Sequence, residues 1–235
     1  MSSNKFYGQT LTSDNLLETR LMQFPNHEDI EILLGFLEGR ETVLDLGCGT
    51  GFTCERLAEC GKKVTGIEPT EEYVFAAKRR VQDFDFVERL DFQVGDMEGY
   101  QSYNNFDAVI LMWSVINEIL TKEAQLEMLK KYRAFLRPNG LLYIDTIYIP
   151  EESRQPFSFE DPVSGRRFEL INDEFDIRIK HPEGGSHIVR CDTPSGWENM
   201  FNLAGYNPVI SCGYQCPNGT RRLVVAGIEK NEHGS

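Results

Sequence analysis

Four residues at alternate positions, Asp45, Gly47, Gly49 and Gly51, form the segment in which residue type and spacing most clearly indicate chemistry. An apolar segment precedes them, and an amphipathic segment from Thr53 to Cys60 follows. Because glycine has no Cβ, a turn of this kind lets a ligand approach the backbone closely. We therefore expect a ligand site at a turn between a strand and a helix.

The charge of this turn indicates which ligand it binds. A dinucleotide site has the spacing G-x-G-x-x-G and a helix N-terminus directed at a pyrophosphate. Here Phe52 follows Gly51, and the Asp45 carboxylate stands two positions before Gly47. A carboxylate repels phosphate and attracts an ammonium group. The turn therefore favours a cationic nucleoside without phosphate, although Asp45 could also serve only to hold the glycine loop.

Two further carboxylates follow neighbouring predicted strands. Glu68 ends a strand predicted from Lys63, and Asp96 follows a strand predicted over Leu90 to Val94. Doubly wound sheets bind ligands at the carboxyl ends of their strands, and a carboxylate there can accept two hydrogen bonds from a diol. Both residues are candidates for ligand contacts; the alternative is that they only stabilise turns.

Composition limits the classes of function. The 235-residue chain has 24 Lys and Arg against 37 Asp and Glu, a formal charge of -13, which disfavours a nucleic-acid partner. No apolar run approaches the roughly 20 residues of a membrane span, and no signal pattern opens the chain. The six cysteines lack the spacing of a disulfide or metal site. We expect a cytoplasmic enzyme with free thiols, no bound metal and no membrane partner.

Alternating strand and helix patterns predict a doubly wound parallel sheet with right-handed helical crossovers. The predicted strands are Thr42 to Leu46, Lys63 to Glu68, Leu90 to Val94, Phe106 to Met112 and Gly140 to Tyr148. The predicted crossover helices are Gly51 to Glu59, Thr70 to Gln82 and Thr121 to Leu136.

Two helices are predicted before the sheet, within residues 1–40. Ser13 or Asp14 can cap the first, which Pro25 ends, and Asn26 can cap the second, which runs to Gly39. They form an N-terminal helical cap over one mouth of the sheet. The residues before them either fray or order as a lid over the ligand.

The last part of the chain departs from the alternation. Thr193 and Pro194 start a predicted helix that Gly205 closes. Strands from Pro208 to Tyr214 and from Arg221 to Glu229 then form a hairpin with a turn at residues 217–219. Residues 149–192 consist of short alternating runs and turns, which predict an antiparallel β insertion that acts as a substrate flap or forms a dimer.

The chain resembles the class I S-adenosylmethionine-dependent methyltransferases. The resemblance lies in features that follow one another along the sequence: Asp45-x-Gly47-x-Gly49-x-Gly51, then Glu68, then Val94-Gly95-Asp96-Met97. The resemblance implies a Rossmann-like α/β fold with a seven-stranded sheet, parallel except for an antiparallel C-terminal strand. It implies S-adenosylmethionine as the cofactor, bound by a core of residues 41–148 that residues 193–230 complete.

The resemblance also implies roles for individual residues. Glu68 would hold the ribose hydroxyls, Asp96 would accept a hydrogen bond from the adenine amino group, and Met97 would add a backbone amide and an apolar wall. The implied cofactor-binding residues are Asp45, Gly47, Cys48, Gly49, Gly51, Glu68, Pro69, Asp96, Met97, Met112 and Trp113.

The segment from Phe106 to Asn117 is similar to the fourth-strand motif of a narrower branch, which holds glycine N-methyltransferases and amino-sugar N,N-dimethyltransferases. The candidate catalytic residues are Tyr7, Asn117, Glu118 and His187, and the candidate substrate-binding residues are Tyr148, His181 and Arg190. We expect the arginine pairs at 166–167 and 221–222 to be solvated.

The predicted function is transfer of a methyl group to a nitrogen, or otherwise an oxygen, of a small polar metabolite by in-line displacement. Orientation and a dry, suitably polar pocket supply most of the acceleration in such a reaction. The alternatives are a protein-modifying methyltransferase and a non-catalytic protein that binds the cofactor. A homodimer is possible.

Overall fold

The computed structural model describes residues 12–23, 27–102, 105–150, 158–161, 165–171, 176–182, 184–215 and 221–229. Its helices are α1 Ser13–Gln23, α2 Glu28–Phe36, α3 Phe52–Glu59, α4 Glu71–Val81, α5 Lys122–Tyr132 and α6 Pro194–Leu203. Its strands are β1 Thr42–Leu46, β2 Lys63–Glu68, β3 Leu90–Val94, β4 Phe106–Leu111, β5 Leu136–Ile147, β6 Ser158–Glu160, β7 Arg167–Leu170, β8 Asp176–Lys180, β9 Ser186–Arg190, β10 Tyr206–Gln215 and β11 Arg221–Glu229.

The main sheet has seven strands in the order β10-β11-β5-β4-β1-β2-β3. The pairs among β3, β2, β1, β4 and β5 are parallel, whereas β11 is antiparallel to both of its neighbours, β5 and β10. The prediction of a doubly wound sheet that is parallel except for one antiparallel C-terminal strand is confirmed. The order places the ends of β3, β2, β1 and β4 side by side.

The start of β5 differs from the prediction. Helix α5 ends at Tyr132, a 3-10 turn covers Arg133–Phe135, and β5 begins at Leu136 rather than at Gly140. The predicted turn is present as an irregularity within the strand, where Asn139 has a φ of 64°. The pairing with β4 shifts there, from Phe106 opposite Leu136 to Ala108 opposite Leu141. The prediction was wrong because the strand passes through a turn-forming sequence without ending.

Helices cover both faces of the main sheet. On one face, Leu33 of α2, Leu57 of α3 and Val74 of α4 are buried against β1, β2 and β4. On the other face, Leu129 of α5 and Trp197 of α6 are buried in a second cluster. Burying apolar side chains on both faces is what a parallel sheet requires.

The two N-terminal helices begin differently from the prediction. The Thr12 hydroxyl accepts a hydrogen bond from the Asn15 amide at 3.3 Å, so the cap of α1 is Thr12 and neither Ser13 nor Asp14. Helix α2 starts after His27, whose φ is 59°. The predicted roles of Pro25 and Asn26 lie outside the described residues. The Ser13 amide also donates to Glu72 of α4 at 3.4 Å, which places α1 beside the ligand end of the sheet.

The C-terminal helix begins as predicted. The Thr193 hydroxyl accepts a hydrogen bond from the Gly196 amide at 3.1 Å, and Pro194 occupies the first turn. Gly205, with a φ of 88°, follows the helix. The predicted turn at residues 217–219 lies outside the described residues.

Strands β6, β7, β8 and β9 form a separate antiparallel sheet between β5 and α6. Phe168, Ile177, Ile179 and Val189 form its buried face. This confirms the predicted antiparallel insertion. Within the described part of the chain, no helix is both long enough and apolar enough to span a bilayer.

Candidate active site

A cavity of about 450 Å³ lies at the carboxyl ends of β1 to β4. Residues that follow each of these strands line it, together with Leu16 and Arg20 of α1 and with Arg166 and His181 of the insertion. Its volume is within the range of sites that hold small molecules. The cavity is therefore shared by the parallel sheet, helix α1 and the insertion.

The glycine turn forms part of the cavity wall. The amides of Gly47 and Cys48 both donate to the Ile67 carbonyl, at 2.8 and 3.0 Å, which ties the turn to β2. Gly47, Gly49 and Gly51 have φ values of 79°, 55° and 76°. A Cβ at Gly47 would lie 2.6 Å from the Val115 side chain. Glycine is thus required both by the backbone conformation and by close packing.

Gly51 is placed apart from the other predicted cofactor-binding residues of the turn. It does not line the cavity, and it precedes the first turn of α3. A Cβ at this position would lie 2.6 Å from the Phe92 ring. The third glycine of the motif therefore lets α3 pack against β3.

Glu68 is fixed between the glycine turn and α4. Its two carboxylate oxygens accept hydrogen bonds from the amides of Gly49 and Thr70, at 3.0 and 2.9 Å. The side chain is buried but lines the cavity, and burial raises the pKa of its carboxyl group. Because each oxygen can accept a second hydrogen bond, this carboxylate can still receive the two hydroxyls of a diol.

Asp96 and Met97 follow β3 at the far side of the cavity and line it, as does Pro69 after Glu68. The Asp96 side chain is exposed, and one of its oxygens accepts a hydrogen bond from the Gly99 amide. The predicted cofactor-binding residues that lie at the cavity wall are Asp45, Gly47, Cys48, Gly49, Glu68, Pro69, Asp96, Met97, Met112 and Trp113.

Asp45 lies beneath the glycine turn, where it reaches both the cavity and helix α3. It lines the cavity, and one carboxylate oxygen accepts a hydrogen bond from the Cys54 thiol of α3 at 3.2 Å. Burial, with a smaller contribution from the negative charge of Glu68, raises the pKa of Asp45 to about 7. Near neutral pH this carboxyl group is therefore partly protonated until a positive charge approaches it.

The raised pKa of Asp45 predicts a pH-dependent stability. The folded-state pKa near 7 lies above the ordinary value of 3.8, so folding favours the protonated form of Asp45. The contribution of this group to folding stability is therefore complete below about pH 4 and is lost as pH rises through 7. Asp45→Asn keeps an acceptor for Cys54 but does not titrate. From pH 4 to pH 8, wild type should lose stability relative to Asp45→Asn, so the free energy of unfolding of the variant minus that of wild type should increase in urea titrations. A constant difference would contradict the raised pKa of Asp45.

A strained turn follows β4 at the cavity. Trp113 and Ser114 have φ values of 62° and 68°, which non-glycine residues rarely adopt. The Asp145 carboxylate accepts from the Trp113 amide at 3.2 Å and from Arg222 Nε at 2.7 Å, and Arg222 also donates to the Ser114 hydroxyl at 3.0 Å. The expectation that Arg222 is solvated was wrong, because it is buried in this ion pair.

A second network, which the sequence did not reveal, lies under α1. The buried Arg20 guanidinium donates to both oxygens of Asp29 at 2.7 Å. It also lies 4.6 Å from the Phe52 ring centroid and 4.7 Å from that of Trp113. The Trp113 indole donates to Asp29 at 3.2 Å. Arg20 thus brings a fixed positive charge to the cavity wall.

The insertion supplies the opposite wall. Arg166, which we expected to be solvated, lines the cavity together with His181, and Glu118 of the turn after β4 also lines it. His187 lies behind His181, because His181 Nε2 and His187 Nδ1 are 2.8 Å apart. Burial and the nearby charge of Arg166 lower the pKa of His181 to about 3 and that of His187 to about 4. Both imidazoles are neutral at pH 7.

Besides Gly51 and His187, three further predicted residues lie away from the cavity. Asn117 is fully buried; its side chain donates to the Arg190 carbonyl at 2.7 Å and accepts from the Thr146 hydroxyl. The Arg190 side chain pairs with Asp176 at 3.5 Å, and Tyr148 packs against the apolar core. The structure therefore gives Asn117 a role in joining the insertion to the sheet rather than a contact with ligand. Tyr7 lies outside the described residues.

Residues 43–140 match a family model described as a methyltransferase domain. A putative methyltransferase of Bacillus subtilis, YqeM, is 35% identical over 103 residues, which are 44% of this chain and 41% of that protein. An amino-sugar N,N-dimethyltransferase of Streptomyces fradiae is 26% identical over 70% of this chain and 69% of its own length. The chain spans about two fifths of the length of the first curated relatives it matches.

Solved structures share the fold over most of the chain. The CcbJ methyltransferase from Streptomyces caelestis superimposes with a TM-score of 0.68 over 87% of this chain and 89% of that one, at 17% identity. This similarity shows the fold, and the match over residues 43–140 shows a methyltransferase domain in that part of the chain. The methyltransferase domain that the glycine turn and the carboxylates suggest is confirmed for residues 43–140.

Proposed function

We propose that the chain transfers a methyl group from S-adenosylmethionine to a nitrogen of a small polar metabolite, with oxygen as the second candidate atom. One observation carries the proposal. The glycine turn, Glu68 and Asp96 follow β1, β2 and β3 and line one cavity, which continues past β4 to Glu118 and His181. The cavity thus has room for a nucleoside at one end and for an acceptor at the other.

The residues present fit the cofactor. Glu68 offers carboxylate oxygens to the ribose hydroxyls, and Asp96 offers an acceptor to the adenine amino group. Arg20 presents a guanidinium to the cofactor carboxylate, a pairing that is often bidentate. The Asp45 and Glu68 carboxyl groups at the cavity floor disfavour phosphate, and a bound sulfonium would favour their ionised forms. When bound, S-adenosylmethionine supplies an electrophilic methyl group.

The protein contributes orientation and exclusion of water. The fixed glycine turn and the turn at Trp113–Ser114 set the shape of the cavity, and α1 and the insertion cover it. Holding the acceptor in line with the transferred methyl group removes much of the entropic barrier of a bimolecular reaction. These are the tasks that a methyl transfer requires of the protein.

The relatives support a small-molecule acceptor rather than the protein-modifying or non-catalytic alternatives, because the Streptomyces fradiae relative is an amino-sugar N,N-dimethyltransferase. The formal charge of -13 supports the absence of a nucleic-acid partner. Three expectations stay predictions: a cytoplasmic location, a homodimer, and the division of the chain into cap, core, insertion and C-terminal segment.

Replacing Glu68 tests the cofactor site. We expect Glu68→Ala to weaken S-adenosylmethionine binding at least tenfold, about 1.4 kcal/mol or more, because two hydroxyl contacts lose their acceptor. Asp96→Ala should have a smaller effect, since its side chain is exposed. Isothermal titration calorimetry measures both. Glu71→Ala, which alters an exposed residue of α4 outside the cavity, is the matched control. An equal loss of S-adenosylmethionine affinity in that variant would contradict the assignment of Glu68 to the cofactor site.

The activity itself is tested with methyl-labelled cofactor and panels of small amines, hydroxyl compounds and carboxylic acids, with wild type and Glu68→Ala in parallel. Transfer to amines that falls in Glu68→Ala supports the proposal. Absence of cofactor binding in calorimetry would overturn it. Binding without transfer to any member of the panels would favour a non-catalytic protein.

A further inference from the structure

Three buried carboxyl groups near the cavity are offset by strong donors. The Asp29 carboxylate receives the Arg20 guanidinium at 2.7 Å. The Asp145 carboxylate receives that of Arg222 at 2.7 Å. Glu68 accepts hydrogen bonds from two backbone amides, at 3.0 and 2.9 Å. Cations or amide groups thus offset the cost of burying these three groups in their charged form.

Asp45 lacks such compensation. It is only 1% exposed, and one of its oxygens, Oδ2, accepts a hydrogen bond from the Cys54 thiol at 3.2 Å. The other oxygen, Oδ1, has no hydrogen-bond partner among the described residues. A thiol is a weak donor. The folded protein therefore buries this carboxyl group with little to stabilise its ionised form.

The groups around Asp45 also disfavour its ionisation. Ile110 of β4 lies opposite Asp45 in the sheet and is uncharged, whereas Glu68 at the end of β2 adds a negative charge. Helix α3 and the glycine turn contribute the thiols of Cys54 and Cys48. Within the described part of the chain, no lysine, arginine or histidine forms an ion pair with Asp45. Burial and the charge of Glu68 together raise the pKa of Asp45 to about 7.

The positive charges of the cavity wall do not remove this effect. Arg20 of α1 and Arg166 of the insertion line the same cavity as Asp45, and in the described structure neither forms an ion pair with it. A positive charge within about 4–6 Å of a carboxyl group lowers its pKa by about 1–3 units. A cationic ligand in the cavity would therefore drive the proton off Asp45 at neutral pH.

We propose that Asp45 releases its proton when the positively charged part of the cofactor enters the cavity, so that cofactor binding is coupled to proton release. This role rests on the proposed function and deepens it, because it makes Asp45 the residue that distinguishes a charged cofactor from an uncharged nucleoside. The O–H bond of the carboxyl group breaks, its electron pair stays on oxygen, and the proton passes to the solvent. S-adenosylmethionine carries two positive groups that fit, the sulfonium and the α-ammonium.

The coupling sets the sign of a pH effect on affinity. A cationic ligand binds preferentially to the ionised form of Asp45, which becomes more populated as pH rises toward 7. The S-adenosylmethionine affinity of wild type relative to Asp45→Asn should therefore rise at least about fivefold from pH 5.5 to pH 7. Glu68 is present in both proteins, so its titration cancels in this ratio. His181, which lines the cavity, stays neutral over this range because burial lowers its pKa to about 3.

Calorimetry measures the released proton directly. At pH 6, the apparent binding enthalpy is compared in buffers of different ionisation enthalpy, and the slope gives the number of protons released per bound ligand. We expect about one proton for S-adenosylmethionine with wild type and none with Asp45→Asn. Asp96→Asn is the matched control, because it alters an exposed carboxylate of the same cavity. It should weaken binding but keep the proton release.

Two further ligands identify the charge that is responsible. S-adenosylhomocysteine keeps the α-ammonium but has no sulfonium, and 5′-methylthioadenosine has neither charge. Proton release with S-adenosylmethionine alone assigns the effect to the sulfonium, and release with S-adenosylhomocysteine as well assigns it to the ammonium. Both results support the proposed coupling. Equal release with 5′-methylthioadenosine would overturn it, because no positive charge would then be needed.

A second variant tests the same carboxyl group without replacing it. Burial raises the pKa of Asp45, and the hydrogen bond from Cys54 opposes that effect. Cys54→Ala should therefore move the rise in S-adenosylmethionine affinity to higher pH, and retained 5′-methylthioadenosine binding shows that the variant is folded. Binding to wild type without proton release, or release that persists in Asp45→Asn, would overturn the inference alone. Wild type that does not bind S-adenosylmethionine would overturn the proposed function.

Discussion

Replacing Arg222 with methionine is expected to lower the free energy of unfolding by about 3–5 kcal/mol, the usual effect of removing one partner of a buried ion pair. Asp145 is fully buried and receives Arg222 Nε at 2.7 Å, so the variant leaves a carboxylate without its cationic partner. The same carboxylate holds the Trp113 amide in its strained conformation. We therefore expect S-adenosylhomocysteine binding to weaken as well. Urea denaturation and calorimetry measure the two effects.

Arg137→Met is the matched control for that experiment. Arg137 pairs with Asp107 at the same kind of distance, 2.8 Å, but its side chain is about half exposed. Exposed ion pairs contribute less than about 1 kcal/mol, so the control should change stability little. If Arg222→Met and Arg137→Met lowered the free energy of unfolding equally, burial of the Asp145–Arg222 pair would have no special effect on stability.

Gly47→Ala is expected to destabilise the protein by about 2–4 kcal/mol, as the sum of a left-handed alanine and an overpacked contact. The added Cβ would lie 2.6 Å from the side chain of Val115, which begins the 3-10 turn that ends at Glu118. The displaced turn would also reshape the cavity, so cofactor binding should fall. Thermal and urea denaturation measure the first effect, and calorimetry the second.

Gly39→Ala separates the two contributions. Gly39 has a φ of 71°, close to that of Gly47, but nothing lies within 4 Å of the position that its added Cβ would take. We expect a loss of only about 1 kcal/mol there, from the backbone conformation alone. Adding Val115→Ala to Gly47→Ala should recover part of the difference, since it removes both methyl groups of the close contact. If the two glycine variants are equally destabilised, packing against Val115 does not explain the need for Gly47.

The sequence alone predicted the part of the site whose residues lie at the ends of individual strands. The ends of β1, β2 and β3 coincide with the predicted bounds, because each strand is short and a turn follows directly after it. Glu68 and Asp96 belong to those turns, so their position at the cavity follows from the strand order of a doubly wound sheet. Predicting this half of the cavity required no long-range contact.

The rest of the site depends on contacts between distant segments. Asp29 and Trp113 are 84 positions apart, and Asp145 and Arg222 are 77 apart, so neither network has a sequence signature. Asn117 and Glu118 show a second limit. In the 3-10 turn Val115–Glu118, adjacent side chains point in different directions, and Asn117 enters the core while Glu118 lines the cavity. The residue types alone do not reveal which one faces the ligand.

The way in which the insertion joins the sheet tolerates changes of side chain at the joint. The Arg190 carbonyl receives hydrogen bonds from Asn117 at 2.7 Å and from Gln125 at 3.3 Å. Because the acceptor is a main-chain atom, the joint does not depend on which side chain occupies position 190. The side chain at position 190 can therefore change without removing the hydrogen bonds that join the insertion to Asn117 and to Gln125 of α5.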